Sequence, residues 1–244
     1  MGFSKEFHEL LDEVHDFATY HGNTSIFFRG QCDDWPLHSG LFRMNNGKKL
    51  SELKSDEESM YRMFLNQGHT LLRGEKNWEL LFIMQHHGVR TRLLDWSPSL
   101  LTALFFAIQN TDASNPVLWM LNATKLNGLS TGSSALISLP FEGNTYEEVL
   151  SSPEPCLSVM ALLPTRNTAR QIIQQGMFTL QGDNMLPLED EFGGSLVHEM
   201  ILKKIKISES IINDISEFLR MNAVDHFTMY PDLDGLSKRV NTYL

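Results

Sequence analysis

Cysteine is nearly missing from this 244-residue chain: Cys32 and Cys156 stand far apart, with no C-x-x-C pair. That excludes a disulfide framework and a clustered zinc site, and it points to free thiols in a reducing compartment. Basic residues are also few, 20 against 30 acidic ones, for a formal charge of -10. A chain of that sign repels nucleic acid and anionic membrane unless cations are locally concentrated, so non-specific DNA coating is not expected. Long apolar runs are missing too. The stretch Leu100 to Ile108 falls far short of the roughly 20 residues of a membrane span, and the start MGFSKEFHELLDEVHDF interleaves acids where a secretory signal needs an unbroken apolar core. No export and no membrane insertion are expected, which leaves the cytoplasm. There is no G-x-G-x-x-G or G-x-x-x-x-G-K-[ST] phosphate loop, no G-x-S-x-G elbow and no repeat.

What is present fits one mixed domain over residues 1–244, with hydrophobic residues making up 42% of the chain. Phe7, Leu10, Leu11, Val14, Phe17 and Ala18 recur at helical spacing after Ser4, an N-cap residue, and Gly22 is placed to end that helix. Ile26 to Phe28 predicts a short buried strand that delivers Arg29-Gly30-Gln31. Helical patterns follow at Asp56 to Arg73 and at Trp78 to Gln85, the second stopped by Gly88. Thr91 to Trp96 reads as a strand, and Ser97-Pro98 as the cap and first residue of a helix through Ile108. Val117 to Leu121, Ser158 to Leu163, Met177 to Leu180 and Met200 to Ile207 are further strand candidates. Leu126 to Ser134 and Asp183 to Ser195 look like surface loops, and Ile211 to Met221 like a helix. Irregular alternation of this kind predicts an α+β domain with a central, partly antiparallel sheet and flanking helices.

Polar chemistry concentrates in two segments, Phe27 to Gln31 and Gln85 to Ser97, which are expected to meet at one cleft. Arg29 follows apolar strand residues and precedes Gly30, so its guanidinium projects from a platform where a phosphate or carboxylate can approach. The alternative is that Arg29 pairs with a buried acid such as Asp95 and only fixes the fold. The second segment holds His86, His87, Arg90, Thr91, Arg92, Asp95 and Ser97. The two imidazoles suit a helix C-terminus, and adjacent positions face different sides, so no two-histidine metal clasp is expected. Arg92 can pair with Asp95, which leaves Ser97 to cap the next helix. Glu189-Asp190-Glu191 offers paired carboxylates or, more plainly, a solvated turn.

These segments, FFRGQ at Phe27 to Gln31 and MQHHGVRTRLLDWS at Met84 to Ser97, resemble the FRG domain, a family called after its Phe-Arg-Gly motif. WPLHSGLFR at Trp35 to Arg43, ALFFA at Ala103 to Ala107, QQGMFTL at Gln174 to Leu180 and PDLDGLSK at Pro231 to Lys238 extend the resemblance over nearly the whole chain. It implies an intracellular protein of bacteria, archaea or phage whose biochemical role the family leaves undefined; the expectation is a nucleotide-ligand domain acting as a toxin or effector in conflict between bacteria and phage. A more distant similarity to ADP-ribosyltransferases lies in a strand ending in Arg-Gly, a strand followed by serine and helix, and a late Gln or Glu. That similarity implies NAD as cofactor and a macromolecular acceptor. Arg29 would grip the pyrophosphate, with Gly30, Gln31, Arg90, Thr91 and Arg92 around it. Ser97 or Asp95 would take the second position, beside His86, and Gln174, Gln175 or Glu191 the late one. Glutamine carries no negative charge to an oxocarbenium centre. The competing reading is a non-catalytic module that senses a nucleotide or nucleic-acid end through Arg29, His86, Arg90 and Arg92.

Overall fold

The structure, a computed structural model, describes residues 2–22, 24–43, 47–110, 115–138, 145–152, 157–164 and 175–242. Ser4 opens the first helix as its composition predicts: the hydroxyl accepts from the Phe7 N–H at 3.2 Å, and Phe7, Leu10, Val14 and Phe17 form the buried stripe of α1, Lys5–Tyr20. The left-handed Gly22 follows its end. Strand β1, Ile26–Gln31, buries Phe27 and Phe28 on opposite faces, so both sides of it are covered. Helices α2 (Gly40–Arg43), α3 (Leu50–Gln67) and α4 (Asn77–His86) come next, then β2 (Leu93–Trp96), α5 (Leu100–Ile108) and β3 (Val117–Asn122). The chain continues through α6 (Ala123–Thr131), β4 (Ile137–Ser138), α7 (Tyr146–Ser151), β5 (Met160–Leu163) and β6 (Met177–Leu180). A 3₁₀ turn at Leu188–Gly194 leads into α8 (Ser195–His198), β7 (Leu202–Lys206), α9 (Ile212–Met221), α10 (His226–Met229) and α11 (Leu233–Asn241).

The strands form two sheets. One is antiparallel, in the order β1-β3-β7; the other is mixed, in the order β2-β6-β5-β4, with β4 and β5 parallel. Among the described residues they join at one bridge, where the Phe28 N–H donates to the Ser97 carbonyl at 2.7 Å and the Ser97 N–H returns a bond to Phe28 at 2.9 Å. The fold is therefore α+β, and its strands run β7-β3-β1-β2-β6-β5-β4 through one crease.

Three apolar layers follow from that arrangement. Phe28, Leu118, Met120 and Ile205 pack under α1, α5 and α9. Phe27, Val117, Trp119 and Leu121 face Leu94, Trp96 and Ala161 across the two sheets. Leu93, Leu162, Phe178 and Leu180 lie against α3, α4 and α7. Gly30 shares the helix-facing side of β1, and a Cβ built there would meet the Ala103 carbonyl oxygen at 1.8 Å. The glycine is set by the close crossing of α5, where the sequence had suggested ligand approach.

Other local expectations shift. The cap of α5 is Ser99, whose hydroxyl accepts from the Thr102 N–H, while the Ser97 hydroxyl accepts from the Ser99 N–H two residues earlier. Leu126 to Ser134 is mostly helix, because Asn122 accepts from the Lys125 N–H and starts α6 at once after β3. Asp183 to Ser195 is ordered by burial of Asp183, Leu188 and Glu191 and is no plain surface loop. Among the described residues no helix is long and apolar enough to cross a membrane.

Candidate functional site

Beyond the Phe28 to Ser97 bridge, β1 and β2 part. A cavity of about 310 Å³ occupies the crease, walled by the end of β1, the end of β2, α5 and the last turn of α4. Arg29, Gln31, His86, Asp95 and Ser97 all line it, so the two polar segments do meet in one hollow. Gly30 contributes its main chain. Phe28 directs its N–H and C=O to Ser97, and alternation along an antiparallel strand turns those of Gly30 to the same unpaired edge.

Arg29 is partly buried. One guanidinium nitrogen, Nη1, donates to the main-chain carbonyl of Asp95 at 2.8 Å, and the buried Nε has no partner. Desolvation lowers its pKa to about 10, against a raising effect of the nearby Asp95 charge, so the group is a cation at neutral pH. Among the described residues it makes no salt bridge. The Asp95 carboxylate is bonded instead to Gln85 Nε2 at 2.7 Å, and Gln85 Oε1 accepts from the Thr91 hydroxyl at 2.6 Å. Gln85 thus fixes Asp95 at the rim, a role for which the sequence carries no signal beyond proximity.

Arg92 corrects the sequence reading. It is 0% exposed, and its partners are Glu57, reached through both Nε at 2.7 Å and Nη2, and Asp183, reached through Nη1 at 2.9 Å. Tyr146 also donates to Glu57, and Lys54 lies 3.3 Å from Asp183. Arg92 therefore ties α3, β2, α7 and the segment after β6 together and does not pair with Asp95. Thr91 is likewise buried, and Arg90 is exposed; neither lies on the cavity wall. The cation that does join Arg29 there is Arg43, at the end of α2, with Trp35, 45% exposed, nearby at the opening. Both belong to the WPLHSGLFR block, whose order along the chain was the only hint.

The late polar candidates fall elsewhere. Gln174 lies outside the described residues. Gln175 is exposed in a left-handed turn, φ 50°, and only its neighbour Gly176 reaches the wall. Glu191 is 3% exposed and off the wall; Oε2 accepts from Asn184 at 2.7 Å, Oε1 has no partner, and desolvation raises its pKa.

Comparison with curated proteins and with solved structures gave no match. The FRG domain family model matches residues 24–116, a span that supplies every cavity-lining residue except Gly176 and Phe178. The blocks at Gln174 to Leu180 and Pro231 to Lys238 fall outside it. The chain thus carries an FRG domain across residues 24–116, and that span supplies most of the cavity wall.

Proposed function

We propose that the chain binds an anionic, nucleotide-like ligand in the crease between β1 and β2. The observation that carries this reading is Arg29, a cavity-lining guanidinium that makes no salt bridge among the described residues and donates only to a main-chain carbonyl. A desolvated cation that no carboxylate contacts directly favours an anion as its partner. Arg43 adds a second cation, Trp35 offers an aromatic face, and the volume is at the lower end for small-molecule sites. The cationic set is Arg29 and Arg43 with His86 beside them, since Arg92 is committed to the interior. Titration with pyrophosphate, AMP and NAD by calorimetry tests the reading. Wild-type protein binds, and Arg29→Gln binds at least about tenfold more weakly; no binding of any of the three would refute it.

A second reading is NAD-dependent ADP-ribosyl transfer in a toxin or effector. It draws its support from Asp95, the one carboxylate on the wall among the described residues. NAD supplies a glycosidic bond whose cleavage puts positive charge on the ribose, and a fixed carboxylate is suited to stabilise such charge. Gln85 holds Asp95 in place for that task. Release of nicotinamide from NAD, lost in Asp95→Asn, is the expected result; a protein that binds NAD and releases none is a binding module.

A further inference from the structure

Of the four tryptophans, Trp78, Trp96 and Trp119 are buried, whereas Trp35 is 45% exposed at the opening of the cavity. Among the described residues its ring meets no other aromatic ring. The other rings on the wall are already committed. Phe28, Trp96 and Phe178 are buried, and Phe106 packs edge-on against Phe105 and Tyr230, with centroids 5.5 and 6.2 Å away. The backbone that carries Trp35 is also held. Pro36 restricts Trp35 to extended conformations. Buried Leu37 then donates its N–H to Glu189 Oε2 at 3.1 Å, and its carbonyl accepts from the Leu188 N–H at 3.2 Å. A large ring on an anchored backbone loses little entropy when a guest covers it. The cations share the same wall. Arg29 is partly buried, Arg43 is exposed, and the Arg43 charge opposes that of Arg29, so a guest that brings negative charge to both relieves their repulsion.

We propose that the ligand is a nucleotide whose phosphate end lies at Arg29 and Arg43 and whose base stacks on Trp35 at the opening. The base is then selected by the area of its face and not by the hydrogen-bonding pattern of its edge, because every base has a π-face to offer an indole. Purines are favoured over pyrimidines, and both over a sugar phosphate without a base. This inference rests on the anion-binding reading above, and its test separates the two.

Affinities for AMP, IMP, CMP and ribose 5-phosphate are measured by calorimetry, with pyrophosphate as a probe of the anionic end alone. Wild-type protein binds AMP about tenfold more tightly than ribose 5-phosphate, with CMP between them, and takes AMP and IMP alike within about threefold. In Trp35→Ala the ratio of AMP to ribose 5-phosphate affinity collapses towards one, and Trp35→Phe, which keeps a smaller ring, retains part of it. Iodide quenching gives a second reading, since three of the four tryptophans are buried: AMP shields Trp35 from iodide. If pyrophosphate binds but AMP gains less than about twofold over ribose 5-phosphate, the base does not stack. An undiminished ratio in Trp35→Ala, or AMP binding that leaves iodide quenching unchanged, overturns the role of Trp35. Failure of wild-type protein to bind pyrophosphate overturns the anion-binding reading, and this inference with it.

Discussion

Arg29 is held by the main chain of Asp95 and not by its side chain: Nη1 donates to the carbonyl at 2.8 Å, while the carboxylate is bonded to Gln85. The side chain at position 95 can therefore change without dislodging the guanidinium. Asp95→Asn is expected to alter stability by less than about 1 kcal/mol and to raise pyrophosphate affinity about two- to fivefold, because a like charge leaves the rim. Calorimetry beside a urea melt checks both. A fall in affinity would show that the carboxylate positions Arg29 after all.

Gly30→Ala tests why the glycine is there. Its backbone is not left-handed, so conformational strain is not at issue; the new methyl would sit 1.8 Å from the Ala103 carbonyl oxygen and 2.6 Å from the Ala107 nitrogen. Both are helix backbone, which cannot rotate aside. We expect destabilisation of about 3 kcal/mol or more, read as a lowered urea midpoint.

Arg92→Met leaves Glu57 and Asp183 buried with their main cation gone. Breaking a buried ion pair from one side costs about 3–5 kcal/mol, and the double variant Arg92→Met with Glu57→Gln recovers part of that loss. Chemical denaturation of the single and double variants gives the coupling. A loss below about 1 kcal/mol in the single variant would mean that solvent reaches the network.

Glu191 supplies a pH test. Burial raises its pKa in the folded state, so the native protein holds the Glu191 proton more tightly than the unfolded chain does. Its contribution to stability is fully present below the unfolded value near 4.5 and is lost as pH rises through the folded one. Glu191→Gln, which is neutral throughout, is expected to be more stable than wild type by about 1 kcal/mol at pH 7. The advantage shrinks as pH falls towards 4. Melting curves of both proteins at the two pH values check the sign, and an advantage that grows on acidification would contradict it.

The elements that the sequence revealed are those whose instructions are local. Ser4 and the Phe7 to Phe17 stripe lie within one helix, and Met177 to Leu180 is the observed span of β6. Fold class followed from the same patterns. Local signals compete at one point: Ser97 and Ser99 are both good caps, and the bridge to Phe28 holds Ser97 in the strand ladder, which hands the helix start to Ser99. Arg92 was misassigned for a different reason. Its partners lie 35 and 91 residues away, whereas Asp95 is three residues on, and sequence proximity favours the wrong acid. The convergence of Arg29 with Asp95 and Ser97 was legible because a strand ending in polar residues displays them at an edge. Arg43 gained meaning only once the crease was located.

Among the described residues the two sheets touch edge to edge where Phe28 meets Ser97, and immediately past that contact Gly30 presents bare peptide groups to the hollow. Part of whatever recognition occurs there is written in backbone, which no truncation of a neighbouring side chain erases. Variants stripped of charge at positions 29 and 43 should thus retain a weak, salt-insensitive residue of binding, because the unfinished β ladder still offers a guest strand-like hydrogen bonds.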